Sequence, residues 1–253
     1  MSKKAGAYRA FVYFLRLQTL ILIYLYARRS PLGLINDKDA GIVRERLSKL
    51  PAPVTLSVFT SGTECGYCAE TSGLAGDVAE LSGSRVNARF YDVSANPGQA
   101  QQLGIDKTPA IAMFDSDGRD WGIRFFGIPA GFEFISLLET IEMISRKDSG
   151  LAVLTREKLK AVDAPLHLQV FVTPSCPYCP NAVLLAFRMA MESTLITASM
   201  VETAEFPELA ARYNVSGVPH TVIGESSTPM LGAFPEATGV SMVLAASRVR
   251  NGG

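Results

Sequence analysis

A C-x-x-C motif occurs twice in this chain, and this duplication constrains the fold more than any other feature of the sequence. The first copy is C-G-Y-C at Cys65–Cys68 and the second is C-P-Y-C at Cys176–Cys179. Each copy follows a run of β-branched and apolar residues that predicts a strand, at residues 54–59 and 166–172. Each is followed by a segment that predicts a helix. The two halves of the chain therefore repeat one local arrangement.

The repeat extends to a proline in each half. Thr108-Pro109 precedes the apolar run AIAMF and Val218-Pro219 precedes HTVI, at nearly equal distances from the two motifs. A repeat of about 110 residues is too long for a solenoid unit and suits a duplicated domain. We expect the boundary in the polar stretch at residues 147–150. The predicted organisation is a hydrophobic and basic extension, a first unit and a second unit, at residues 1–31, 32–148 and 149–253.

The order of predicted elements defines the fold class. Each half reads strand, C-x-x-C, helix, strand, helix, proline, strand, strand, helix. The D-S-D-G turn at residues 115–118 predicts a hairpin of antiparallel strands. Strands that alternate with helices indicate an α/β protein whose mixed sheet is flanked by helices. This pattern is typical of a thioredoxin-like unit, and the sequence predicts two such units in tandem.

The cysteines are the predicted catalytic residues. A cysteine at the start of a helix lies near backbone N–H groups without intrahelical partners, which favour the thiolate. A second cysteine three residues on can attack the mixed disulfide formed by the first and release the product. We therefore predict that Cys65 and Cys176 are nucleophiles and that Cys68 and Cys179 resolve the mixed disulfides.

The two sites are expected to differ in reactivity. Glu64 directly precedes Cys65, and a nearby carboxylate disfavours a thiolate, so Cys176 is predicted to be the more reactive nucleophile. Prolines at positions 177 and 180 fit a helix that begins near Cys176. Neither preceding strand ends in an acidic residue, so proton transfer is expected to rely on solvent. The residues predicted to tune the two sites are Glu64, Gly66, Tyr67, Pro177 and Tyr178.

The two prolines are predicted to bind substrate. An X-Pro peptide bond adopts the cis form at low cost, and matching distances from the two motifs favour that form here. A cis proline that faces a C-x-x-C motif presents the backbone of the preceding residue, which can pair with a substrate chain by strand addition. Thr108, Pro109, Val218 and Pro219 are therefore the predicted substrate-binding residues.

Zinc binding by the four cysteines is the competing interpretation. A four-thiolate site usually has its two C-x-x-C pairs about 15–20 residues apart, and here the separation is far larger. The two histidines, His167 and His220, are too few for a histidine-rich metal site. His220 follows Pro219 and could tune Cys176, although a packed or solvated histidine is favoured. We predict no metal site.

Composition excludes several other classes of function. The chain has 253 residues, with 24 Lys and Arg against 24 Asp and Glu, and it carries no basic block. This charge balance gives no indication of nucleic-acid binding. Four cysteines are too few for a small secreted disulfide scaffold.

An apolar run at residues 10–26 is interrupted by Arg16 and Gln18. It is shorter than the about 20 apolar residues that span a bilayer. A membrane anchor, an amphipathic surface helix and translation upstream of the true start are the three interpretations, and the last is favoured. Membrane contact is expected only if residues 10–26 form an anchor.

Four stretches together resemble a known family. They are LGLINDKD, GIRFFGIPAGFEF, FVTPSCPYCPNAV and YNVSGVP, at residues 32–39, 122–134, 171–183 and 213–219. They are similar to the glutaredoxin-like protein disulfide oxidoreductases of thermophilic archaea and bacteria. The resemblance implies two thioredoxin-fold units, each with a redox-active C-x-x-C, of which the second tends to be the main site.

The resemblance also implies an activity and its setting. Such proteins reduce, form or isomerise protein disulfides without a bound cofactor and contribute to redox homeostasis. The implied electron donor is a thioredoxin reductase, and the implied location is cytoplasmic.

Two alternatives to this function are retained. One is an electron-transfer module that feeds a peroxidase. The N-terminal domain of the alkyl hydroperoxide reductase flavoprotein also doubles this fold but uses one C-x-x-C, so two intact pairs argue against that role. The other is a non-catalytic scaffold stabilised by zinc.

Overall fold

The computed structural model describes residues 33–62, 65–224 and 228–249, which contain eight helices and eight strands. The helices are α1 (Asp37–Ser48), α2 (Cys68–Leu81), α3 (Pro97–Gln102), α4 (Glu133–Arg146), α5 (Val153–Leu159), α6 (Cys179–Glu192), α7 (Pro207–Arg212) and α8 (Glu236–Val249). The strands are β1 (Val54–Thr60), β2 (Val86–Asp92), β3 (Ala110–Phe114), β4 (Asp120–Phe126), β5 (Leu166–Val172), β6 (Ile196–Glu202), β7 (His220–Ile223) and β8 (Met230–Leu231). We refer to α1–α4 with β1–β4 as the first unit and to the remainder as the second unit.

All eight strands form one sheet in the order β2-β1-β3-β4-β6-β5-β7-β8. In each unit the first strand pairs parallel with the second and antiparallel with the third, and the third pairs antiparallel with the fourth. The units join where β4 pairs parallel with β6, from Ile123 opposite Ala198 to Phe126 opposite Val201. The predicted α/β fold of two repeated thioredoxin-like units, including the β3–β4 hairpin, is therefore confirmed.

Side chains alternate between two cores on opposite faces of the sheet. The larger core contains apolar residues from α1, α2, α4, α5, α6 and α8, whereas the smaller core lies under α3 and α7. The larger core is continuous across the two units. There Phe125 of β4 and Phe187 of α6 meet edge to face with ring centroids 5.0 Å apart, and both are fully buried.

The structure adds details that the residue pattern did not predict. Helix α5 lies between the predicted boundary and β5, and β8 is only two residues long. Residues 147–150 connect α4 to α5, so the domain limits remain predictions about a chain whose two units share one sheet.

None of the helices among the described residues is long and apolar enough to cross a membrane. The N-terminal extension at residues 1–31, with its apolar run at residues 10–26, lies outside the described residues.

Candidate active site

Both C-x-x-C motifs lie at the same edge of the sheet. Strands β1 and β5 run in the same direction, and each motif follows the carboxyl end of its strand. Three strands, β3, β4 and β6, separate β1 from β5. Four strand spacings of about 4.8 Å place the two sites about 19 Å apart, too far for direct exchange between their sulfurs in this arrangement.

The second motif forms the disulfide Cys176–Cys179. Cys176 is 8% exposed and Cys179 is fully buried, so an incoming sulfur can approach Cys176 more readily than Cys179. The backbone N–H of Cys179 points at Cys176 Sγ from 3.1 Å. Such a donor stabilises a thiolate at Cys176 once the disulfide is reduced.

Helix α6 begins later in the chain than predicted, since the prediction placed its start near Cys176. Regular α6 begins at Cys179, whereas Cys176 lies in a turn closed by its own N–H, which donates to Thr173 O at 3.1 Å. Pro180 occupies the first turn of α6, where no N–H partner is needed. The prediction was wrong by one turn, but the helix N-terminus still faces the sulfur.

A second segment approaches the Cys176 sulfur. Val218 O lies 3.8 Å from Cys176 Sγ, and the Val218–Pro219 peptide bond is cis. The fold thus brings together two predicted site segments that are distant in sequence. The role of Val218 and Pro219 in substrate binding remains a prediction.

The first motif forms the disulfide Cys65–Cys68, with Cys65 half-buried and Cys68 buried. The Thr108–Pro109 peptide bond is also cis, and the Thr108 hydroxyl lies 3.2 Å from the Ser61 hydroxyl. Glu64, on which the predicted difference between the sites depends, lies outside the described residues. Exposed tyrosines occupy both motifs, at Tyr67 and Tyr178.

Glu133 is a buried carboxyl that the sequence analysis missed. It is 1% exposed, and the Ser136 hydroxyl donates to its Oε2 at 2.6 Å. Burial raises the pKa of Glu133 to about 7, against the opposing effect of Ser136. The preceding residue, Phe132, donates its N–H to Pro174 O, so Glu133 lies beside the loop that leads to Cys176. An acidic residue at a helix start usually indicates only a favourable dipole interaction, so the pattern gave no signal of burial.

Two further acidic residues, Glu202 and Glu205, lie between the two motifs at the edge of the sheet where the motifs lie. Glu205 accepts the Ile128 N–H at 2.6 Å, and Glu202, at the end of β6, is buried. Burial raises the pKa of Glu205 to about 7, and the negative charges of Glu202 and Glu70 add to this effect. One buried and one half-buried carboxyl therefore lie near this edge, although neither strand that precedes a motif ends in an acidic residue.

His220 is packed rather than directed at Cys176. It is 3% exposed and meets Phe171 edge to face at 6.1 Å, in the core beneath α7. Burial lowers the pKa of His220. His167 lies elsewhere on the sheet, with its ring nitrogens within hydrogen-bond distance of the Thr197 and Ser199 hydroxyls. The packed interpretation of His220 is confirmed.

The four cysteines do not come together. Each pair closes on itself, and the described part of the chain has no group of three or more His, Cys, Asp or Glu side chains that could hold a metal ion. The arrangement supports chemistry at two separate dithiol–disulfide pairs.

Two thioredoxin-fold units on one sheet, each with a C-x-x-C disulfide and a cis-proline peptide bond, define a protein with a doubled thioredoxin fold and two disulfide-forming sites. Residues 166–241 match the thioredoxin-domain family model. The chain is similar to the crystal structure of a protein disulfide oxidoreductase from Aeropyrum pernix k1, with a TM-score of 0.78 and 29% identity over 85% of this chain and 94% of that one. The resemblance inferred from the sequence is confirmed.

A second solved structure shares the doubled fold, and sequence relatives match about half of this chain. The N-terminal domain of alkylhydroperoxide reductase AhpF from Enterococcus faecalis matches with a TM-score of 0.75 and 23% identity, over 82% of this chain and 98% of that one, which shows the fold alone. The F component of alkyl hydroperoxide reductase from Staphylococcus epidermidis is 30% identical over 118 residues, 47% of this chain and 23% of the relative. An NADH dehydrogenase from Ferdinandcohnia aciditolerans is 26% identical over 54% of this chain and 28% of that protein. The chain thus spans about a quarter of the length of these curated relatives.

Proposed function

We propose that this chain is a thiol–disulfide oxidoreductase that acts on protein disulfides, with Cys176–Cys179 as its main site. The observation that carries the proposal is the environment of Cys176, whose sulfur lies 3.1 Å from the Cys179 amide nitrogen and 3.8 Å from Val218 O. The amide supplies a donor for a thiolate, and the carbonyl lies where a substrate backbone can pair beside the reacting sulfur.

The reduction is a two-electron exchange between two dithiol–disulfide pairs. The Cys176 thiolate attacks one sulfur of the substrate disulfide, which forms a mixed disulfide and releases the other substrate sulfur as a thiolate. Cys179, once deprotonated, attacks Cys176 Sγ, which breaks the mixed disulfide and releases the second substrate thiolate. The substrate is reduced, the Cys176–Cys179 dithiol becomes a disulfide, and the protons from the protein's thiols pass to the products. Oxidation of a substrate dithiol follows the same steps in reverse.

Cys65 and Cys68 are proposed as a second site of the same kind, with Thr108 and Pro109 in the position of Val218 and Pro219. The residues proposed to tune the sites are Glu64, Gly66, Tyr67, Pro177 and Tyr178. A thioredoxin reductase is the proposed electron donor and the cytoplasm the proposed location, on the strength of the family resemblance.

Insulin reduction by dithiothreitol tests this function, with wild type beside Cys176→Ser and Cys65→Ser. We expect the wild type to accelerate precipitation of the insulin B chain, Cys176→Ser to lose most of this activity and Cys65→Ser to keep most of it. Equal losses of activity in the two variants would contradict the assignment of Cys176–Cys179 as the main site. An inactive wild type would overturn reduction of protein disulfides as the function.

Electron transfer to a peroxidase is a second candidate, because the curated relatives include the F components of several alkyl hydroperoxide reductases. A coupled assay tests it with NADH, a flavoprotein disulfide reductase, this protein and a cysteine peroxidase. Peroxide-dependent NADH oxidation that needs Cys176, together with an inactive insulin assay, would favour this role. No stimulation by the protein would contradict it.

A further inference from the structure

The loop that carries Cys176 is held by the other unit. This loop, residues 173–175, joins β5 to the motif, and its own hydrogen bond runs from Cys176 N–H to Thr173 O. A second bond comes from the first unit, where the backbone N–H of Phe132 donates to Pro174 O at 2.9 Å. We propose that the Gly131–Phe132 backbone of the first unit positions Cys176 for thiol–disulfide exchange, so that both units build the second site. This inference rests on the proposed function.

Gly131 permits the close approach that this bond requires. Its φ is +59°, a left-handed conformation that side chains disfavour. A Cβ at this position would lie 2.3 Å from Pro174 O and 2.9 Å from Pro174 C. Both atoms are backbone, so any side chain at position 131 forces the Pro174 carbonyl away from the Phe132 N–H.

Cys176 is two residues from Pro174, so a displaced carbonyl moves the reactive sulfur as well. The sulfur now lies 3.1 Å from the Cys179 amide nitrogen, which belongs to the separately packed helix α6. A longer distance between them weakens the stabilisation of the Cys176 thiolate. The reduced form is then destabilised more than the disulfide, so the pair becomes more reducing and Cys176 less reactive at neutral pH. Gly131 and Phe132 are thus positioning residues that act through the loop.

Two variants at Phe132 separate its N–H from its ring. Phe132→Pro removes the donor, and its φ of −65° is already that of proline. Phe132→Ala removes the half-exposed ring and keeps the donor. Both are made in full-length Cys65→Ser/Cys68→Ser protein, which leaves Cys176–Cys179 as the only cysteine pair. The readouts are the equilibrium of this pair with glutathione and the rate of Cys176 alkylation by iodoacetamide.

For Phe132→Pro we expect the equilibrium constant to shift at least tenfold, about 30 mV toward a more reducing pair, and alkylation to slow about tenfold. Phe132→Ala should stay within about twofold of the parent on both readouts, because an exposed ring adds nothing to the hydrogen bond. A role in folding stability alone would lower the unfolding midpoint and leave both redox readouts unchanged.

A second test uses Gly131→Ala, with Gly83→Ala as its control. It keeps the proposal testable if Phe132→Pro does not fold. Both glycines have φ +59°, but a Cβ at Gly83 meets nothing within 4 Å. Both variants place an alanine in the unfavourable left-handed conformation, but only Gly131→Ala displaces Pro174. Parental redox readouts in the folded Phe132→Pro or Gly131→Ala protein would overturn the positioning role. A parent pair that never equilibrates with glutathione would instead contradict the proposed function, and the positioning role with it.

Discussion

At the scale of the residue, one buried and one half-buried carboxyl affect how the stability of the fold depends on pH. Glu133 and Glu205 both have a pKa of about 7, because the protein interior and, for Glu205, neighbouring acids disfavour their charged forms. In the folded protein these two carboxyls therefore keep their protons at pH values above 4.5, where the same groups in the unfolded chain release them. Each group adds stability that is fully present below that pH and is lost as the pH rises to about 7. The opposite sign applies to His220, whose lowered pKa costs stability as the pH falls below 6.5.

Glu133→Gln is expected to remove the loss of stability that ionisation of Glu133 causes as the pH rises. Between pH 5 and pH 8 the wild type should lose stability relative to the variant by about 2–3 kcal/mol, which is most of the effect of a pKa that differs between 4.5 and about 7 at about 1.4 kcal/mol per unit. Urea unfolding of both proteins across this range measures the difference, and the effects of Glu205 and His220 cancel because both proteins contain them. A difference in stability that does not vary with pH would contradict the raised pKa.

At the scale of the element, much of the fold could be predicted because each strand and helix leaves a local pattern. The runs before the cysteines and the D-S-D-G turn form β1, β5 and the β3–β4 hairpin. The pairing of β4 with β6 could not be predicted, since hydrophobic alternation does not specify a strand's neighbour. The start of α6 was missed for a related reason, because a proline is equally acceptable in a turn and in a first helical turn. The contact between Phe132 and Pro174 depends on this global arrangement as well.

The N-terminus of helix α1 is capped by Asn36, and the contribution of this cap to stability can be measured. The Asn36 side chain accepts the Asp39 N–H at 3.0 Å, and α1 buries Ala40, Val43 and Leu47 against the larger core. Asn36→Ala should destabilise the protein by about 1 kcal/mol through loss of this N-cap, as measured by urea unfolding. Asn36→Ser keeps a capping oxygen without placing a second carboxylate beside Asp39, and should lie closer to wild type than Asn36→Ala. Equal losses in the two variants would show that the cap contributes nothing.

At the scale of the whole molecule, the two units share one sheet and one continuous core. The ring of Phe187 in the second unit packs on Phe125 of β4, and the single tryptophan, Trp121, lies in β4 of the first unit. Tryptophan fluorescence therefore reports on the first unit, whereas far-UV circular dichroism reports on both. A continuous core predicts that the two signals change at the same urea concentration.

Phe187→Ala tests this coupling because the change lies in one unit and the fluorescent probe in the other. Truncation of a fully buried phenylalanine costs about 3–5 kcal/mol, so both transitions should move together to lower urea. Leu154→Ala, at a site 77% exposed in the same unit, should move neither. A circular dichroism transition that shifts while the Trp121 transition stays in place would mean that the units unfold separately. Coincident shifts would instead mean that damage to one unit is transmitted to the other, as expected if the second site is built from both.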